Sequence, residues 1–139
     1  MKIRPYEPRD EEAVVALWQA CGLVRPWNDP LRDIQRKLTE QPELFLVGVS
    51  GEAVVATAMA GFDGHRGWVY YLAVTPGQRR QSFGRQLMRE VERLLLDRGC
   101  PKINLQVRME NTQALGFYRS LGYAEEERVT FGRRLIADD

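Results

Sequence analysis

The sequence predicts a single α/β domain, residues 1–139, built on a mixed sheet. Apolar residues switch between period-two and helical spacing along the whole chain, with glycine and proline between the segments. Several strand-like segments follow one another before the longest helical one, which argues for antiparallel neighbours rather than a fully parallel sheet. An apolar strand ending at Leu72-Ala73-Val74 runs into an arginine-rich turn, and that turn opens the long helix.

The elements follow in order. Lys2 to Glu7 reads as a strand. Asp10 is placed to N-cap a helix, with Glu11 and Glu12 in its favourable first turn. Ala13, Val14, Leu17, Trp18 and Cys21 recur at helical spacing until Gly22. Arg25-Pro26-Trp27-Asn28-Asp29-Pro30 is a loop, and Pro30 opens a second helix whose Leu31, Ile34 and Leu38 share a face. Leu44–Val49 and Ala53–Gly61 form a hairpin around Ser50-Gly51-Glu52. A polar turn from Phe62 to Gly67 leads into the strand Trp68–Val74. Ser82 to Arg98 is the long helix, closed by Gly99. A strand over Lys102–Val107, a helix over Thr112–Leu121 and one or two strands within Tyr123–Leu135 complete the order β-α-α-β-β-β-α-β-α-β.

Composition narrows the function. The net charge is +1, from 20 basic and 19 acidic residues, so nothing global suggests nucleic acid or a membrane surface as partner. No apolar run approaches membrane-spanning length. Two cysteines, Cys21 and Cys100, make no disulfide framework and fit a cytoplasmic location. The single histidine, His65, excludes a His-rich metal site, so no metal is expected.

The chemistry concentrates in two segments. The turn Pro76-Gly77-Gln78-Arg79-Arg80-Gln81-Ser82-Phe83-Gly84-Arg85 sets arginines and small residues at a helix N-terminus, where unpaired N–H groups and the macrodipole favour a phosphate or pyrophosphate. It is neither a Walker A loop nor a dinucleotide fingerprint. The second segment runs from Asn111 to Tyr123, with Ala114, Phe117, Tyr118 and Leu121 on one helical face. Alone, it reads as an amphipathic helix with a core tyrosine.

Together, Arg/Gln-x-x-Gly-x-Gly/Ala after a strand and Asn-x-x-Ala-x-x-Phe/Leu-Tyr-x-x-x-Gly-Phe/Tyr further on resemble the GCN5-related N-acetyltransferases (GNAT). The Arg-Pro-Trp-Asn-Asp-Pro loop and the Asp63-Gly64-His65-Arg66-Gly67 turn resemble a small bacterial subgroup of uncharacterised acetyltransferases. The resemblance implies a sheet splayed between its fourth and fifth strands, with acetyl-CoA in the split as acetyl donor. It implies that the backbone of Leu72, Ala73 and Val74 pairs with the pantetheine arm. The pyrophosphate would lie on Arg79, Arg80, Gln81, Ser82, Phe83 and Gly84, with Arg85 adding charge. Asn111 would contact the arm or cap the last helix. Tyr118 would protonate the departing thiolate, a transfer that costs little at ordinary phenol and thiol pKa values.

The chain departs from the family in three places. Ser82 replaces the first motif glycine, although serine is a good N-cap and a hydroxyl donor. The positions at which relatives carry a glutamate base hold Trp68 and Gln106. His65, near Asp63, is the remaining side-chain base candidate, weighed against a plain turn residue. A water relay or a weakly basic acceptor would remove the need for one. Arg25, Trp27 and Asp29 are candidates for acceptor contacts. The implied reaction is direct transfer of acetyl to a primary amine, on a small molecule or a peptide, in a ternary complex. The rivals are a non-catalytic acyl-CoA sensor and a peptide N-terminal acetyltransferase. Family members often form homodimers, and the final strands could supply that interface.

Overall fold

A computed structural model describes residues 1–138, with the side chain of Arg80 outside the described set. The elements are β1 (Lys2–Pro5), α1 (Glu11–Ala20), α2 (Pro30–Lys37), β2 (Phe45–Ser50), β3 (Ala53–Phe62), β4 (Gly67–Val74), α3 (Phe83–Asp97), β5 (Ile103–Leu105) and α4 (Thr112–Ser120). One five-stranded sheet runs in the order β1-β2-β3-β4-β5. The pairs β1–β2, β2–β3 and β3–β4 are antiparallel, and β4–β5 is parallel. This is the mixed α/β fold that the serial strands predicted.

The sheet carries a core on each face. On one, Leu87, Met88, Val91 and Leu95 of α3 pack on Leu46, Ala56, Ala58 and Val69. On the other, Val14, Leu17 and Trp18 of α1 and Ile34 of α2 pack on Phe45, Val47, Met59 and Ala73. The helical spacings seen in the sequence are the stripes these helices bury.

Three local expectations change. Asp10 stands at the N-cap of α1, but its side chain makes no cap bond there. Its carboxylate is buried, takes both terminal nitrogens of Arg4 at 2.7 and 2.9 Å, and accepts from the Glu7 N–H at 2.8 Å. Those bonds hold the carboxylate below the ordinary Asp range, the Arg4 contact being the main cause. The long helix starts at Phe83 rather than Ser82, after a tight turn over Pro76–Gln81. Among the described residues no strand follows α4: Tyr123–Leu135 was expected to hold one or two, yet residues 123–138 carry no regular element. A strand needs a neighbour for its backbone groups, and this segment touches the β5 edge through side chains, Gln106 Nε2 to Thr130 Oγ1 at 3.1 Å and Lys102 to Glu126.

Candidate active-site cleft

The site begins with a defect in β4. Thr57 pairs with Ala73 and Met59 with Tyr70, so β4 carries one more residue than β3 over this stretch. Tyr71 takes up the excess with φ 53°, a conformation a bulky residue adopts only under constraint. Its ring stacks on Trp18, with centroids 3.7 Å apart, and its hydroxyl donates to Asp33 Oδ2 at 2.6 Å. Thr57 Oγ1 donates to the Tyr71 carbonyl at 2.8 Å and itself accepts from the Trp18 indole N–H at 2.9 Å. Burial first, then the Asp33 carboxylate, push the Tyr71 phenol above its ordinary pKa, so it stays a donor.

Beyond the bulge the sheet parts. β4 pairs with β5 only from Gly67 to Val69, opposite Ile103 to Leu105. From Tyr70 to Val74 no described strand pairs with this edge of β4. A cleft of about 520 Å³ lies along the open edge. Leu72, Ala73 and Val74 form one wall, Ser82, Gly84 and Arg85 the start of α3, and Asn111, Phe117 and Tyr118 the α4 side. In the first turn of α3 the N–H groups have no intrahelical acceptor, so they are free for an anion.

The structure brings together most of the residues singled out from sequence. Arg79 lines the cleft, and its Nε lies 3.3 Å from the Val74 carbonyl. Asn111 lines it too and caps α4, its Oδ1 accepting from the Ala114 N–H at 3.1 Å. Ser82 occupies the N-cap of α3 at φ 62° with no side-chain cap bond, contrary to the expectation that serine would cap here. Gly84 lets α4 pack closely, since a Cβ there would stand 3.1 Å from the Phe117 ring and the ring would have to give way. Gln81 and Phe83 flank these positions, but Phe83 is buried in the α3 core rather than in the cleft wall. Burial raises the Tyr118 phenol to about 12.

Other candidates lie apart. His65 is exposed in the turn before β4, where Asp63 Oδ1 accepts from the N–H groups of His65 and Arg66. At about 3.3 Å per residue, the length of β4 separates that turn from Val74, and the bonding is that of a turn. Asp29 caps α2 through the Leu31 N–H at 2.9 Å. Arg25 bridges to Asn28 within the loop, and Trp27 is 57% exposed there.

Sequence reasoning missed Cys21 and Leu23, which line the cleft. The Cys21 thiol lies 3.4 Å from the Val74 carbonyl and 3.5 Å from Arg79. No motif marks them; they reach the cleft because the end of α1 packs beside the end of β4. Among the described residues no group of three His, Cys, Asp or Glu side chains is arranged to hold a metal. No described helix is long and apolar enough to cross a membrane.

The acetyltransferase (GNAT) family model matches residues 11–123. An acetyltransferase of Yersinia enterocolitica is 46% identical over 138 residues, covering 99% of this chain and 98% of the relative. One from Pectobacterium atrosepticum has the same identity and coverage. Among solved structures, the aminoglycoside antibiotic 6'-N-acetyltransferase of Acinetobacter haemolyticus superposes with a TM-score of 0.76 at 20% identity, over 98% of this chain and 99% of its own. An acetyltransferase bound to the bisubstrate analogue CoA-S-monomethyl-acetylneamine gives 0.77 at 21% identity, over 97% and 98%.

Proposed function

Because the chain belongs to the acetyltransferase (GNAT) family and is an N-acetyltransferase, we propose that it moves acetyl directly from acetyl-CoA to a primary amine within a ternary complex. One observation carries the reading: the open edge of β4, the first turn of α3 and Tyr118 border a single cleft. In this reading the β4 edge from Leu72 to Val74 pairs with the amide groups of the pantetheine arm as a further strand would. The pyrophosphate rests on the first-turn N–H groups of α3, with Arg79 and Arg85 supplying positive charge. A backbone N–H of the β4 edge polarises the thioester carbonyl. The amine nitrogen forms the new C–N bond, the C–S bond breaks, and the sulfur leaves as thiolate.

Tyr118 returns a proton to that sulfur. A phenol held at about 12 is a weaker acid than a thiol near 8.5. The transfer is therefore uphill for Tyr118 alone, which corrects the expectation of a cheap step. It becomes feasible when the nitrogen, made acidic by C–N bond formation, gives up its proton as the phenol donates, so the phenol acts as a relay. No side-chain base is assigned to the amine; water reaching the cleft serves that purpose, and an amine of low pKa needs none.

The donor half of this reading is tested by calorimetric titration with acetyl-CoA and CoA, with NAD as control. Saturable binding of both between about 1 and 100 μM is expected, roughly −8 to −5.5 kcal/mol. Folded protein that binds neither overturns it. We also propose a homodimer that uses the segment after α4, whose apolar side chains stand in solvent: Phe131 is 93% exposed and Leu135 88%.

A further inference from the structure

Resting on the transfer reading above, the acceptor side of the split can be given a chemistry. Val69 points into the core beneath α3. Trp68 and Tyr70, one position to either side, therefore project from the opposite face, where α1 packs farther along the strand. Their rings are stacked, with centroids 6.5 Å apart and planes 12° from parallel. Trp68 is half-buried and Tyr70 is 52% exposed. The parallel register sets Asn104 beside Trp68, and Gln106 lies two residues on. Tyr70 and Gln106 directly follow the last β4–β5 pair, Val69 with Leu105, so they stand where the split opens.

These four positions carry two aromatic rings and two carboxamides, with no carboxylate among them. Asp63, at the outer end of the strand, spends Oδ1 on the N–H groups of His65 and Arg66 and also accepts from the Trp68 side chain. The wall therefore offers a polyamine a single carboxylate, at its outer end and already engaged by three donors. It offers a ring a flat surface for stacking, with the Asn104 amide and the Gln106 carbonyl oxygen, whose Nε2 already donates to Thr130, for the ring's substituents.

We propose that Trp68, Tyr70, Asn104 and Gln106 form the acceptor wall and select a primary amine carried on a ring, aryl or sugar, over a linear polyamine. The ring lies on the stacked pair and the amino group enters the split.

The test is calorimetric titration of CoA-saturated protein with tyramine, D-glucosamine and 1,4-diaminobutane. At least one ring amine is expected to bind ten or more times more tightly than the diamine. That affinity should fall about tenfold or more in Trp68→Ala and in Tyr70→Ser, while the acetyl-CoA dissociation constant, which reports an intact fold, stays within twofold. The two ring probes separate an aryl from a sugar preference. Equal affinity for all three amines, or no amine binding, overturns the proposal. So does a change in sedimentation with unchanged amine affinity, since the rings would then be a contact between copies. Ring amines that bind but are never acetylated overturn the transfer reading and leave the wall standing. Acetylation of the diamine with no ring amine bound overturns the wall alone.

Discussion

Ser82 shows what a glycine motif requires and what another residue loses there. At φ 62° its Cβ carries a conformational cost that glycine avoids, and its hydroxyl gives no cap bond in return. Ser82→Gly is expected to raise stability by about 1 kcal/mol in urea unfolding, and a loss of stability would mean that the hydroxyl has a partner of its own. Tyr118 gives the second prediction. Its pKa is raised, so the phenol stays protonated below about 12, and its ionisation takes no activity away until pH approaches that value. Tyr118→Phe should lower kcat by about 100-fold with acetyl-CoA affinity kept, and the remaining rate should lose any fall above pH 11. A variant that loses affinity instead would make Tyr118 a binding group. Tyr118 and Asn111 came into view through the family resemblance, since their segment alone reads as an amphipathic helix with a core tyrosine, and both line the cleft. Cys21 was not legible in sequence, because its place depends on how two distant segments pack. The bonds of His65 match the bland alternative weighed for it, a turn residue.

At the scale of elements, the split depends on how the β4 bulge is held. Thr57 is fully buried and links the Trp18 indole to the Tyr71 carbonyl, so one hydroxyl joins α1, β3 and the bulge. Thr57→Val keeps the shape and removes both bonds, leaving a buried donor and an acceptor unmet. The expected cost is about 2–6 kcal/mol, since each of the two unmet groups costs about 1–3. Because the bulge aims the Leu72–Val74 edge, acetyl-CoA affinity should also fall. Loss of stability with unchanged affinity would show that the bulge keeps its shape without this hydroxyl. Helices, hairpin and mixed sheet were legible because periodicity and turn residues report local geometry. The strand over Lys102–Val107 shortens to Ile103–Leu105 because a strand lasts only as long as its pairing, and here the sheet parts. Where it parts was implied by the family resemblance rather than by periodicity.

At the scale of the whole molecule, the segment after α4 is where the sequence reading and the structure differ most, and the difference is informative. Glu127-Arg128-Val129-Thr130-Phe131-Gly132-Arg133 alternates as a strand does, yet within one chain it lies unpaired with Val129 81% and Phe131 93% exposed. Periodicity reports that a segment suits a sheet, and the partner strand can come from another copy. The segment is complementary to itself. Pairing it antiparallel with its copy across a two-fold axis at Thr130 sets Glu127 opposite Arg133 and Val129 opposite Phe131. Neither Glu127 nor Arg133 has an ion-pair partner among the described residues. A dimer is therefore expected in sedimentation velocity at micromolar concentration. Phe131→Glu should shift it to monomer, because two carboxylates would enter the apolar centre of the ribbon. Glu127→Arg should weaken it by placing like charges opposite each other, and adding Arg133→Glu should restore it by reversing both members of each pair. A wild-type monomer rules out the pairing, whereas a dimer that the charge-swapped double variant fails to recover means the copies meet through another surface. If the swap restores assembly, acetyl-CoA affinity should be the same in the double variant as in wild type, since neither residue borders the cleft.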